Sequence, residues 1–372
     1  MTDPLENLGD AMLDAYPELA LVAEAAEAAP VYLVGGAVRD LLLGRGRSDL
    51  DLVVVGEAAR VAKRLGVEVV EHDRFATAKA QLDGHLVDIA SARSETYTRP
   101  GALPEVEPAD DIAIDLGRRD FTINAMAVPL LGEPRLMDPH GGRSDLDSGT
   151  LRVLHPRSLA DDPTRALRAA RYAARFGFEP EPGTLGQLLA ADLSTVSMER
   201  RESDLLRLAA EPDAQRGFEL LREWGLIEPR AGGIELAAAL SDLLSTPPWR
   251  DVAPRERVLL AAAIGPAGSE RELVAAAPRR PSEAVELARG RDPIELALAR
   301  GLGAEWLDRY LLEWSGVQLE IGGGDLIAAG VPEGPAVGRG LAAALRRKLD
   351  GEVAGRQEEL EVAVRAAREG PS

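Results

Sequence analysis

The chain contains no cysteine. That excludes disulfides, thiolate metal sites and cysteine nucleophiles. Histidine is scarce: His72, His85, His140 and His155 are scattered, with no pair at i, i+4 spacing, and core or surface roles are expected for all four. Aromatic residues make up only 4%, which removes the stacking platforms that many single-strand binders use. No apolar run approaches the roughly 20 residues that span a bilayer. The opening MTDPLENLGD is acidic and has no apolar core, so a secretory leader is not expected and a soluble cytoplasmic protein is. Positive charge is also short, with 43 Lys and Arg against 62 Asp and Glu and a formal charge of −19. Taken over the whole chain, that balance argues against a nucleic-acid partner.

What is present is a globular composition. The 372 residues are 45% hydrophobic, enough for two to four domains with a sizeable core. The few cations also gather. Arg152, Arg157, Arg165, Arg168, Arg171 and Arg175 crowd one segment against Asp161 and Asp162, and Arg118 and Arg119 form a pair upstream. Such a segment reads either as an anion site in a repelling shell or as a salt-bridged helix face. Arg157 fits a phosphate contact or a turn cap equally well.

Residues 31–34, 50–55, 67–72 and 85–90 read as strands, with helices predicted over 37–43 and 57–65. This alternation to about residue 130 predicts an α/β head. The Pro- and acid-rich stretch 97–115, YTRPGALPEVEPADDIAID, has little periodicity and reads as a long loop. Beyond about residue 156 strand signals nearly vanish. DPTRALRAARYAARFG predicts a helix capped by Asp161 or Asp162, with Pro163 in its first turn and Gly177 after its end. Residues 230–372 show helices and one glycine-rich turn, GVPEGPAVGRG.

The most informative stretch is GGAVRDLLLGRGRSDLDLVVV, residues 35–55. Asp49 and Asp51 lie two apart in a predicted strand, so both project from one face, about 7 Å apart, while Leu50, Leu52 and Val54 point to the core. Such a pair suits Mg²⁺, which takes one or two carboxylates and completes its shell with water and phosphate. Asp88, in HLVDIASA, would add a third carboxylate from a neighbouring strand or is an ordinary strand residue. Gly35-Gly36 before a helix lets backbone amides approach a polyphosphate, and Arg39 lies one turn in. The bland alternative is a turn followed by a decorated edge strand.

These residues resemble the motifs of the class II tRNA nucleotidyltransferases, the family that includes bacterial CCA-adding enzymes and poly(A) polymerases of the DNA polymerase beta-like superfamily. GGAVRDLLLG with DLD (35–44, 49–51) resembles the first motif, RRDFTINAMA (118–127) the second, and DPHGGRSDL (138–146) a connecting motif. DDPTRALRAARYAARFGF (161–178) resembles the template motif and ERRESDLLRL (199–208) a neck motif. The likeness is strong over about 31–227 and weaker to the tail. It implies an α+β fold: a nucleotidyltransferase head of mixed sheet and flanking helices over 1–148, then an all-α neck (149–228), body (229–300) and tRNA-binding tail (301–372).

The resemblance also implies roles. Asp49 and Asp51, with Asp88, would be catalytic, and the first two would hold two Mg²⁺ ions. Gly36 and Arg39 would hold the triphosphate, Arg119 a nucleotide phosphate, and Asp120 with Asn124 the ribose hydroxyls. Asp162 and Arg165 would pair with the incoming base, and Arg168 and Arg171 would line the same pocket. The substrates implied are ATP, CTP and the acceptor arm and 3′ end of tRNA. Two departures stand out: Asp161 replaces the family's Glu before the template Asp, and Ser203-Asp204 stands where Glu-Leu is usual. There is no His-Asp phosphohydrolase signature. CC-only members resemble chains with the loop between the first two motifs shortened. That loop is present here, which speaks against CC-only addition. Poly(A) polymerases of the group resemble chains with a basic C-terminal extension, and a binding module that has lost its chemistry would not keep Asp49, Asp51 and the template pair. CCA addition is therefore favoured, with A-only addition the runner-up.

Overall fold

The computed structural model describes residues 7–66, 70–72, 77–82, 84–268 and 270–369, with backbone only at 70–72. The chain divides into two compact units, one ending at Leu226 and one beginning at Ile227.

The first unit opens with helices α1 (Leu8–Ala15) and α2 (Leu19–Ala26). Then come β1 (Val31–Val34), α3 (Gly36–Leu42), β2 (Leu50–Val54) and α4 (Ala58–Arg64). Strands β3 (Val70–His72), β4 (Thr77–Leu82) and β5 (His85–Ser91) complete most of a sheet. A ribbon of β6 (Arg93–Thr96) and β7 (Glu105–Pro108) leads to α5 (Ile112–Gly117) and β8 (Ala127–Pro129). The sheet order is β3-β4-β5-β2-β1-β8. Only its β2–β5 pair is parallel; the others are antiparallel. The head is therefore the expected mixed sheet with flanking helices.

Burial explains the strands. Leu50, Leu52 and Val54 are buried as their alternation requires. Val53, on the Asp51 face, is buried too, in a cluster with Val34, Ile112, Leu116 and Ala127. So β2 is polar on that face only at its start, where the carboxylates stand, and apolar where α5 covers it.

Two expectations change. The stretch 97–115 is not a featureless loop: β6 and β7 pair antiparallel from Arg93↔Pro108 to Thr96↔Glu105, and α5 begins at Ile112. Its Pro108 is the last residue of β7, paired with Arg93 at the ribbon's base, a strand end where a missing N–H is tolerated. β4, TAKAQL, had no strand signal; it forms because β3 and β5 flank it, and only Ala78, Ala80 and Leu82 face inward. Of the strand expected at 67–72, residues 67–69 lie outside the described residues, as does the His72 side chain.

The rest of this unit is mainly helical. It runs through α6 (Gly142–Ser148), β9 (Thr150–Leu151), α7 (Ser158–Asp161), α8 (Thr164–Phe176) and β10 (Glu179–Pro180). Then come α9 (Pro182–Leu189), α10 (Met198–Ala209) and α11 (Ala214–Glu223). β9 and β10 form a short parallel pair there. α8 carries the arginines. Asp162 Oδ1 accepts from the Thr164 N–H at 3.2 Å and from its hydroxyl at 2.8 Å, so Asp162 caps the helix from just outside Pro163. Gly177, left-handed at φ 70°, closes it.

The second unit is helical among its described residues, from Gly233–Leu243 to Arg356–Arg368. In the glycine-rich turn, Gly330 and Gly334 have positive φ, and the helix Pro335–Leu349 starts directly after it. No described helix is long and apolar enough to cross a membrane.

Candidate active site

Within the first unit a cleft of ≈ 630 Å³ opens between the sheet and α8. Eight arginines and seven acids line it. In a chain of net −19 this is where the cations collect. Gly36, Arg39, Asp49, Asp51, Arg119, Asp120, Asn124, Asp162, Arg165, Arg168 and Arg171 all line it. Asp88 does not, and neither do Arg152 and Arg157 of the arginine-dense segment.

At one end stand the strand acids. Asp49 is exposed and Asp51 half-buried. In the parallel pair Asp51 lies opposite Asp88. Burial pushes the Asp51 carboxyl up to about 6; Arg119 pulls it down, while Asp88 and Asp49 add to the rise. Asp88 is held by Lys79, whose ammonium lies 3.0 and 3.2 Å from its two oxygens. Its influence on the cleft thus runs through its charge on Asp51. Gly35 has to be glycine: its φ is +70°, and a Cβ there would meet Arg119 Nη1 at 2.8 Å and Asp51 Oδ2 at 3.9 Å.

The donor set fits a hydrated divalent ion. Asp51 is raised chiefly by burial, with the neighbouring Asp88 and Asp49 charges adding to it, so a cation there would relieve both. Among the described residues no group of three or more His, Asp or Glu forms an all-protein cage. That combination suits Mg²⁺, which keeps waters and substrate phosphate in its shell.

In the middle of the cleft the arginines are held by acids. Arg119 Nη2 donates to Asp115 at 3.0 Å, and its Nε, buried, has no partner. Arg118 donates to Asp115 and Glu95. Burial works against the Asp115 charge, but Arg118 and Arg119 hold its carboxyl below the usual range. Arg39 is committed differently from expectation. Its Nε and Nη2 donate to Asp40 at 2.9 and 3.0 Å, and its Nη1 donates to Asn124 Oδ1 at 2.6 Å. Its guanidinium lies 4.7 Å from the Phe176 ring centroid and 5.3 Å from that of Tyr172. Arg39 therefore braces Asn124 against α8, with most of its donors already occupied.

Asp120 and Asn124 are buried and joined: Asn124 Nδ2 donates to Asp120 Oδ1 at 2.9 Å. Arg168 Nε donates to Asp120 Oδ2 at 2.7 Å. Burial opposes the Asp120 charge; Arg168, the Asn124 amide and Arg165 override it and hold the carboxyl far below its ordinary value. The same pairing raises Arg168.

At the far end is the expected template pair. Arg165, 5% exposed, donates from Nη1 to Ser158 Oγ at 2.6 Å and from Nη2 to the Arg118 carbonyl at 2.7 Å. Asp161 plays no part in this: it pairs with Arg157 at 3.0 Å. The substitution of Asp for Glu at 161 therefore leaves Arg165 to other supports. Arg171 lies 5.0 Å from the Tyr172 ring centroid and donates to its hydroxyl at 3.3 Å.

Sequence reasoning missed several lining residues. Glu95 comes from β6; Tyr97, which opens the 97–115 stretch and was open to substrate contact from sequence, donates to it at 3.0 Å, and burial, with Glu95 adding, pushes the Tyr97 hydroxyl up to about 12. Tyr172 lies on α8 itself, beside the Arg175 that the arginine-dense segment already included, and the i, i+4 spacing of Arg168 and Tyr172 was a usable signal. Arg207 and Asp204 come from α10; burial raises the Asp204 carboxyl against the pull of Arg168, Arg207 and Arg171.

Residues 31–152 match the Poly A polymerase head domain. The chain is 43% identical over 206 residues to an A-adding tRNA nucleotidyltransferase of Halalkalibacterium halodurans, a match covering 52% of this chain and 48% of that protein. This chain thus spans about half the length of that relative. Over 345 residues it is 36% identical to a CC-adding tRNA nucleotidyltransferase of Deinococcus radiodurans, covering 88% of this chain and 87% of that one. Among solved structures, a CCA-adding enzyme complexed with CTP superposes with a TM-score of 0.77 at 27% identity, covering 96% of this chain and 98% of the other. One complexed with ATP gives 0.72 at 26% identity, covering 95% and 96%. The Thermotoga maritima CCA-adding enzyme complexed with tRNA gives 0.71 at 25%, covering 96% and 97%. With the cleft, the motif order and a likeness that runs nearly end to end, the chain belongs to the tRNA nucleotidyltransferase family.

Proposed function

We propose that the chain adds CCA to tRNA 3′ ends, using CTP and ATP, by nucleotidyl transfer. The observation that carries the reading is that one cleft holds both the strand acids and the Asp162–Arg165 pair. Bond-making groups and base-reading groups thus face one bound nucleotide. Similar structures hold CTP, ATP and tRNA. On this reading residues 1–148 are the catalytic head, 149–228 the neck, 229–300 the body and 301–372 the tRNA-binding tail, and the enzyme works in the cytoplasm.

Asp49 and Asp51 would hold two Mg²⁺ ions, and bound Mg²⁺ activates a tRNA 3′-hydroxyl and neutralises triphosphate charge. Arg119, whose Nη1 lies beside Gly35, would contact a nucleotide phosphate, and Gly36 would let the backbone approach the triphosphate. Asn124 and Asp120 meet the ribose from a braced position, with Arg39 acting behind Asn124. Asp162 accepts and Arg165 donates at the base edge. Cytosine and adenine both offer an amine beside a ring acceptor there, whereas uracil and guanine do not. Arg168 and Arg171 extend this wall toward the triphosphate.

A second reading, incomplete addition, has its own support: the CC-adding relative matches 88% of this chain, and the A-adding relative is more identical over a shorter span. The retained segment between the first two motifs, folded here as the β6–β7 ribbon, counts against CC-only addition and leaves CCA and A addition to the assay. The deciding experiment uses purified protein, Mg²⁺, labelled CTP or ATP, and tRNAs ending at the discriminator, at C or at CC. Growth of the first to a full CCA end is expected. CTP use with no ATP use moves the assignment to CC addition, ATP use on the CC end alone moves it to A addition, and no incorporation on any acceptor overturns the enzyme reading.

A further inference from the structure

Asp162 is held from a direction the motifs did not announce. Arg200, near the start of α10, donates from Nη2 to Asp162 Oδ1 at 2.9 Å and from Nη1 to the Gly101 carbonyl at 3.0 Å. Gly101 in turn donates its N–H to the Asp161 carbonyl at 3.1 Å. It sits against the neck so closely that a Cβ would lie 2.5 Å from the Thr195 carbonyl oxygen. A planar guanidinium is the side chain that spans two acceptors in this fashion.

The consequence for Asp162 is asymmetric. Its Oδ1 receives Arg200, the Thr164 N–H and the Thr164 hydroxyl. None of these bonds involves Oδ2, and Asp162 lines the cleft. A carboxylate held by one oxygen cannot rotate to offer either at will. It presents one fixed acceptor at the place where a base amine must arrive.

We propose that Arg200 is a positioning residue for base choice. By tying Oδ1 to α10 and to the ribbon connection, it fixes Oδ2 as a lone acceptor that admits bases bearing an exocyclic amine and repels the carbonyl that uracil presents at the same position. The inference rests on the reading of Asp162 as a base-pairing group. It assigns a function to Arg200 of the neck motif ERRESDLLRL, whose Asp204 and Arg207 line the same cleft.

The test compares CTP with UTP incorporation by the full-length chain on a tRNA lacking CCA, measuring kcat and KM for each nucleotide in wild type, Arg200→Gln and Arg200→Lys. Arg200→Gln is expected to lower the CTP:UTP ratio of kcat/KM by about tenfold, the scale of losing one charge-assisted hydrogen bond. The change should lie in discrimination, with UTP use rising. Arg200→Lys, whose single ammonium serves one acceptor well, is expected to recover part of the ratio. An unchanged ratio in both variants overturns the proposal, as does an equal loss for both nucleotides, the mark of a purely structural role. Wild type that transfers neither nucleotide refutes the underlying reading instead, so the two failures are distinguishable.

Discussion

The two ends of the cleft are built on opposite plans. At the strand end, burial with like charge from Asp88 and Asp49 lifts Asp51 to about 6 against the pull of Arg119. At the helix end, Arg165 and Arg168 are fixed by Ser158, the Arg118 carbonyl and Asp120 before any ligand arrives. The first end has charge left over for a ligand to neutralise. The second has geometry already set for a ligand to match. Phosphate chemistry needs mobile, strong charge; base reading needs fixed donors and acceptors, since discrimination depends on what fails to pair.

Removing the surplus should break the first end outright. Asp51→Ala should lower nucleotidyl transfer by roughly 10³-fold or more while leaving nucleotide affinity within severalfold, because the arginine wall is untouched. Single-turnover transfer and equilibrium CTP binding measure the two separately. Near-normal transfer in the variant would refute the metal assignment.

The second end should break through stability. Asp120→Asn leaves Arg168 without its counter-charge. Loss of one partner of a buried pair costs about 3–5 kcal/mol, and the lower figure applies because the Arg168 side chain keeps 31% exposure. Urea unfolding measures it. Asp120 also sets a pH dependence. Its native carboxyl titrates below the ordinary 3.8, so its contribution is full above about pH 4 and is lost as the pH falls toward the native value. The variant should lack that acid limb; an unaltered one would place the acid sensitivity elsewhere.

Arg165→Ala should act on choice. The CTP:UTP preference is expected to fall about tenfold to a hundredfold, with a smaller change in triphosphate affinity. Unchanged selectivity would remove Arg165 from the base-reading wall.

Much of this contrast was legible in the amino-acid order. Asp49 and Asp51 were readable because strand periodicity places both on one face, and the α8 arginines because their three-residue spacing keeps a common side. What stayed hidden is partnership across distant segments. Arg39 was readable as a phosphate ligand, but its hold on Asp40 and Asn124 was not. Arg200 and Gly101 are 99 residues apart and meet only in the fold. The β6–β7 ribbon was hidden for a related reason, since EVEP has little intrinsic strand preference and is ordered by its pairing with Arg93–Thr96.

The strand end predicts a pH effect of opposite sign. In metal-free protein the native Asp51 keeps a proton between about pH 4 and pH 6 that the unfolded chain has lost, so stability falls as the pH rises through that window. A cation binding there must displace the proton at low pH. Apparent Mg²⁺ affinity, read from the thermal shift, should be about fourfold weaker at pH 5.5 than at pH 8. Equal affinity at the two pH values would mean that Asp51 is ionised without metal.

The smallest expected effect tests whether cleft membership, and not membership of the arginine-dense segment, decides a residue's part. Arg157 belongs to the same cluster in sequence as Arg165 and Arg168, yet it lies outside the cleft, its side chain 73% exposed and paired with Asp161 one helical turn on. Exposed pairs of this kind contribute about 0.2–1 kcal/mol and are screened by salt. Arg157→Ala should therefore change unfolding free energy by less than about 1 kcal/mol and leave both kcat and the CTP:UTP ratio as in wild type. A marked loss of selectivity would mean that the base-reading wall extends past Arg165 to the neighbouring surface, and that the boundary between the two plans lies further along the chain than the cleft lining implies.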